Sequence, residues 1–176
     1  MVYENIIDGK NIYFRSVNEN DAEYILSLRL NENLNRFLNE VSSSVEDQKD
    51  WIAKQKEKLG DYYFIIMDKK IGSIGTIGVY DIDNIKSSFN WGRWILSPKA
   101  PVYALIESTI LAYEFGFNIL NLENAISDVR IGNYKVINFH LSYNVTIHRV
   151  DDKNVYYNYK KSQFNDLKNK YKGFIK

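Results

Sequence analysis

Residues 88–117, SFNWGRWILSPKAPVYALIESTILAYEFGF, change their hydrophobic period partway along, and that change fixes how the rest of the chain is read. Ser88 to Leu96 is short, aromatic and apolar, the composition of a strand. After Ser97 and Pro98 the repeat lengthens to about 3.6 residues. Val102, Leu105, Ile106, Thr109, Ile110, Tyr113 and Phe117 then share one broad face of a long central helix. Pro101 fits that helix's first turn. The surrounding segment, Pro101 to Leu120, is the most apolar in the chain, but Glu107 and Glu114 near its middle make it a buried helix rather than a membrane span.

Upstream, Asn11 to Val17 alternates as a strand, and Asn18, with Asp21 three positions on, caps a helix carrying Ala22, Ile25, Leu26 and Leu28 through Leu30. An asparagine-rich stretch to Asn39 breaks the pattern. Ser42 to Ser44 lead into Glu46 and Asp47, opening a surface helix with a thin stripe of Trp51, Ile52 and Leu59 that ends at Gly60. Tyr62 to Met67, a turn at Asp68 to Lys70, and Ile71 to Tyr80 read as a hairpin. A turn at Asp81 to Lys86 joins it to Ser88–Leu96 as an antiparallel meander. Downstream come a strand (Asn124 to Val129), a short amphipathic helix (Tyr134 to Tyr143), a final strand or hairpin (Val145 to Lys160) and a terminal helix with Phe164, Leu167, Tyr171 and Phe174. The order β-α-α-β-β-β-α-β-α-β predicts an α/β fold with a mixed sheet, forming a single domain over residues 1–176.

Composition removes several function classes. With 176 residues and 45% hydrophobic content the chain can bury one core. Its 23 basic and 22 acidic residues leave no electrostatic footprint for nucleic acid or an anionic membrane. Zero cysteines exclude a disulfide framework, a thiolate zinc site and a cysteine nucleophile, and two histidines cannot alone form a multi-histidine metal site. The N-terminus lacks the apolar stretch of a signal peptide, so a mature, cytoplasmic protein is expected.

Four segments in order resemble the GNAT superfamily, in its branch of ribosomal-protein and spermidine N-acetyltransferases. They are Ser44, Glu46 and Trp51-Ile52; FNWGRWIL (89–96) with Pro98; the long helix with Tyr103-Ala104 and Glu107; and NYKVINFHLSYNV (133–145), where Asn133, Val136, His140 and Val145 fall in register with the family segment. The resemblance implies a mostly antiparallel sheet of six to seven strands with about four helices, splayed between the fourth strand (Ser88–Leu96) and the fifth (Asn124–Val129). It also implies acetyl-CoA as co-substrate, without a metal.

On that resemblance, the backbone of Trp94, Ile95 and Leu96 holds the pantetheine amides. Lys99, Ala100, Val102, Tyr103 and Ala104 hold the pyrophosphate at a helix N-terminus, where free N–H groups and the dipole favour anions. Asn133 joins the cofactor-binding positions. The segment from Pro98 to Ala104 lacks the family's glycines. His140 stands where the family places a tyrosine that protonates the departing thiolate, as imidazolium or as neutral N–H imidazole, with Tyr143 as the alternative donor.

Asn90 occupies the position of a glutamate base, leaving Asp81, Asp83 or His148 acting through water, or an amine that arrives neutral. The expected acceptor is a primary amine on a small molecule. A nucleotide-linked amino sugar is favoured because Tyr156, Tyr157 and Tyr159 offer aromatic faces. A protein N-terminus or a polyamine is the enzyme alternative, and a catalytically silent GNAT-fold binding module is the alternative of another class. Oligomeric state is open between monomer and homodimer.

Overall fold

Tyr62–Asp68 is apolar at nearly every position because it is covered on both faces. Tyr62, Phe64 and Ile66 point into a cluster of 27 buried residues, while Tyr63 and Ile65 point into one of six on the other side. The computed structural model describes all 176 residues and places this strand, β3, inside a single eight-stranded sheet. Its neighbours are β1 (Ile7–Asp8), β2 (Ile12–Ser16), β4 (Gly72–Asp83), β5 (Ser88–Leu96), β6 (Asn124–Arg130), β7 (Thr146–Val150) and β8 (Asn154–Lys160). They lie in the order β1-β2-β3-β4-β5-β6-β8-β7, antiparallel except where β5 meets β6.

Two helices, α1 (Ala22–Arg29) and α2 (Val45–Glu57), cover one face. Asn18 and Asp21 form a reciprocal cap ahead of α1, and Ser44 caps α2 by accepting from the Asp47 amide. The other face carries α3 (Val102–Glu114), with α4 (Tyr134–Leu141) and α5 (Phe164–Lys170) beside it. Glu107, the charge that argued against a membrane span, is fully buried. It accepts hydrogen bonds from the backbone and side chain of Asn11 and from the Ile12 amide, pinning α3 to β2. No helix is long and apolar enough to cross a membrane.

The structure has eight strands and five helices where six to seven and about four were expected. The two-residue β1 is too short to leave a periodic signal, and the terminal polar segment resolves into a hairpin of β7 and β8. Leu59 lies beyond the end of α2 and is 84% exposed, outside the stripe assigned to it. Pro101 is the cap of α3 rather than a residue of its first turn, which leaves Val102 82% exposed at the helix start.

Two features place the site. β5 pairs with β6 only from Ser88 to Asn90, so from Trp91 onward the strands diverge and the β5 edge has no partner. On its other side, β5 shifts register against β4 between Gly92 and Ile95, forming a bulge at Arg93 with φ +48°. A bulge re-aims the side chains it carries. Here Arg93 is sent toward α2 and Trp94 toward α3.

Candidate functional site

The divergence of β5 from β6 opens a cleft of about 410 Å³, and a second cavity of about 470 Å³ adjoins it beneath the loop between α1 and α2. Arg29, Asn39 and Arg93 line both, so the two form a continuous groove. Each volume lies within the range of small-molecule sites.

His140 lies in the last turn of α4, lines the cleft and is 2% exposed. Its Nδ1 lies 2.6 Å from Tyr143 Oη, which lies 3.2 Å from Tyr113 Oη. Tyr157 stacks on the imidazole at 5.0 Å and 10°, and Trp91 packs at 5.4 Å. Burial drives the His140 pKa from 6.5 down to about 4. Of the two forms the sequence left open, the neutral imidazole is therefore the one present near neutral pH. Tyr143 is buried behind His140 rather than on the cleft wall, and burial pushes its phenol well above the ordinary value.

Asp128 of β6 is the only carboxylate lining the first cavity, and no residue of the chain pairs with it. Its side chain still reaches solvent, and partial desolvation raises its pKa, with Arg130 opposing and Asp151 adding to the effect. Sequence reasoning passed over it, although an acidic residue inside the apolar strand Asn124–Val129 was the available signal. Asp81, Asp83 and His148 do not line the groove. Asp81 accepts from the Asn90 side chain, Asp83 caps the Ile85 and Lys86 amides, and His148 is exposed on β7.

Arg93 is held by a bidentate pair with Asp61, at 2.6 and 2.9 Å, and its guanidinium lies 4.4 Å from the Tyr80 ring centre. Asp61 is completely buried. Burial works against its charge, but the Arg93 guanidinium outweighs it and holds the carboxyl below its ordinary value.

At the cleft's far end, α3 begins with no side-chain cap and no acidic residue in its first turn, so the Val102 and Tyr103 amides have no intrahelical acceptor. Lys99 stands exposed beside them. Tyr103 donates to Asp68, which fixes the helix start to β3 and pushes the phenol up to about 12. Ala100 closes a tight turn onto Ser97 O. The unpartnered β5 edge through Trp94, Ile95 and Leu96, followed by this open helix end, fits an extended amide-bearing chain that terminates in phosphate.

Asn133 caps α4 and lines the cleft. Two expectations change, for Ala104 and for the β8 tyrosines; the expectation for Trp94 already concerned its backbone alone. Ala104 is fully buried in the core and its amide bonds to Pro101 O, so it presents no surface to a ligand. The Trp94 indole donates to Ser108 Oγ and packs against Phe139, which leaves only its backbone for the edge. The β8 tyrosines offer no sugar platform: Tyr157 and Tyr159 are buried, and Tyr156 lies under the Arg149 guanidinium.

Residues 11–143 match the family model described as an acetyltransferase (GNAT) domain. No curated protein sequence matches the chain. Among solved structures, apo FdhC, described as a nucleotide-linked sugar GNAT, is 36% identical, with 100% of both chains covered and a TM-score of 0.90. A spermidine N-acetyltransferase from Vibrio cholerae in complex with CoA and spermine is 17% identical over 88% of this chain and 98% of its own, with a TM-score of 0.77. A GCN5-related N-acetyltransferase from Brucella melitensis is 15% identical over 97% and 85%, with a TM-score of 0.80. At those lower identities the likeness is one of fold.

Proposed function

The chain belongs to the GNAT acetyltransferase family, and from that premise we propose that it transfers an acetyl group from acetyl-CoA to the primary amine of a nucleotide-linked amino sugar. The observation that carries the acceptor assignment is the likeness to the nucleotide-linked sugar GNAT over the whole of both chains. Charge supports it. Arg29 and Arg130, neither of them ion-paired, line the first cavity beside a single carboxylate, which suits an anionic acceptor, while Arg93 is already neutralised by Asp61.

Acetyl-CoA supplies the activated thioester. The β5 edge from Trp94 to Leu96 would hold its amides, and Lys99 with the Val102 and Tyr103 amides its pyrophosphate. Asp128 orients the acceptor amine and takes its proton, a task suited by a carboxylate whose pKa burial has raised. With Tyr143 as the donor to His140 Nδ1, 2.6 Å away, the ring proton sits on Nε2, which has no partner within the chain. Nε2–H then donates to the charge that develops on the leaving sulfur. A donor already fixed by the packing of Trp91 and Tyr157 needs no reorganisation at that moment.

The test is thiol release from acetyl-CoA with a panel of nucleoside-diphosphate amino sugars, spermidine and peptides. Turnover of a nucleotide-linked amino sugar alone is the expected result. Preferential turnover of spermidine or a peptide reassigns the acceptor. A protein that acetyl-CoA does not saturate is instead a silent module.

A further inference from the structure

Three of the chain's six arginines are ion-paired: Arg15 with Asp21, Arg93 with Asp61 and Arg149 with Asp151. Arg29 and Arg130 are not, yet both line the cleft, and both hold the same residue. Arg29 Nη2 donates to the Asn39 backbone oxygen at 3.0 Å, and Arg130 Nη2 donates to Asn39 Oδ1 at 2.9 Å. Arg29 Nε is sealed from solvent with no acceptor at all. An arginine placed for stability at this depth would have a carboxylate opposite it, as Arg93 has. Two guanidinium groups that line a cavity, each spending one terminal nitrogen on Asn39 and neither facing a carboxylate, form an incomplete site whose missing component is an anion.

Position identifies the anion's chemistry. Arg29 and Asn39 stand where the two cavities join. The first cavity contains His140 and Asp128; the second contains the Trp51 ring, 39% exposed and set edge-on to Tyr63 at 5.5 Å. A group bound at the junction therefore has a reacting end on one side and, on the other, a mostly polar chamber that includes Glu40 and Asp47 and offers Trp51 and Tyr63 as aromatic faces.

We infer that Arg29 and Arg130, bridged by Asn39, bind the diphosphate of the acceptor, with its amino sugar in the first cavity and its nucleoside in the second beside Trp51. This rests on the acceptor class proposed above and assigns the residues that select it. An amine without a diphosphate leaves both forks unsatisfied, so the same residues reject it.

The experiment uses the whole protein saturated with CoA, so that the co-substrate's own pyrophosphate site is filled. Uridine diphosphate, thymidine diphosphate and inorganic pyrophosphate are titrated calorimetrically into the native protein and into Arg29→Gln, Arg130→Gln and Asn39→Asp. Asn39→Asp is the decisive variant. It sets a carboxylate against the Arg130 fork and leaves in place the backbone oxygen that Arg29 holds, so it supplies the missing negative charge internally without removing either contact. The native protein should bind one nucleoside diphosphate per chain. Each variant should bind it at least tenfold more weakly, equal to about 1.4 kcal/mol, with CoA affinity unchanged. No binding to the native protein, or Asn39→Asp and Arg29→Gln binding as tightly as native, overturns the site.

Turnover separates the two claims. If the native enzyme acetylates a nucleotide-linked amino sugar and the variants keep its KM, the diphosphate site is wrong and the acceptor class stands. If nucleoside diphosphate binding is lost in the variants but no nucleotide-linked amino sugar is acetylated, the site stands and the acceptor class is wrong.

Discussion

Holding His140 neutral in the folded protein makes stability depend on pH in a window set by that one residue. Its pKa is 6.5 when exposed and about 4 when folded. Between those values the unfolded chain binds a proton that the folded chain refuses, so stability falls as the pH drops from 6.5 towards 4. The full displacement of about 2.5 units corresponds to about 3.4 kcal/mol, of which about 2.5 kcal/mol is lost between pH 7 and pH 4.5. For a chain of this length that loss lowers the melting temperature by about 5–10 °C.

Other groups titrate nearby. The carboxylates held low in the fold, Asp8, Asp61 and Asp68, give up their contribution mainly below 3.8, and Asp128, raised in the fold, acts in the opposite direction. Comparison with His140→Gln subtracts all of them. Urea unfolding of both proteins at pH 7 and pH 4.5, followed by tryptophan fluorescence, should show the native protein losing about 2.5 kcal/mol more than the variant across that interval. Equal losses would mean that the imidazole is charged or solvated in the fold, and would remove the basis for assigning it as a neutral N–H donor.

Replacing Asp128 with Asn should lower kcat by about 10²–10⁴ with little change in acetyl-CoA affinity, read by steady-state kinetics and direct titration; unchanged turnover would return the base to a water. Tyr143→Phe leaves His140 Nδ1 without its donor, an unmet buried hydrogen bond that costs about 1–3 kcal/mol. Thermal denaturation should register that cost, together with a fall in kcat, while acetyl-CoA binding is retained. Asp61→Asn leaves Arg93 without its countercharge, and breaking a buried pair in this way costs about 3–5 kcal/mol. A denaturation midpoint equal to that of the native protein would show that the Tyr80, Trp51 and Tyr63 rings around the guanidinium suffice to hold Arg93.

Apart from β1, the order of elements was legible because local signals mark them: the change of period at Ser97, the asparagine cap before α1, the serine cap before α2, and the turn residues between β3 and β4. One relation in the site was legible for the same reason. His140 and Tyr143 stand three residues apart, so a helical turn brings them together whatever the rest of the chain does. The environment that gives His140 its character was not. Trp91, Tyr113 and Tyr157 come from β5, α3 and β8, and no spacing rule links them. Ala104 shows the converse error, since its neighbours Val102 and Tyr103 do lie at an open helix end, yet one more residue of rotation turns it into the core.

What separates the legible from the illegible parts is the break between β5 and β6. Pairing stops at Asn90 because the two strands part, and no residue at that point marks the parting in sequence. The groups assigned to the acceptor and to proton transfer gather on the walls of the gap that results. β5 brings Arg93 and a bare backbone edge, β6 brings Asp128 and Arg130, α4 brings His140, and the loop after α1 brings Asn39 over the top. A continuous ladder would satisfy the β5 edge internally and close the cavity. The interruption is therefore the step at which a helix-covered sheet becomes a site: it exposes backbone donors on one wall and sets an unpaired carboxylate and an unpaired guanidinium on the other.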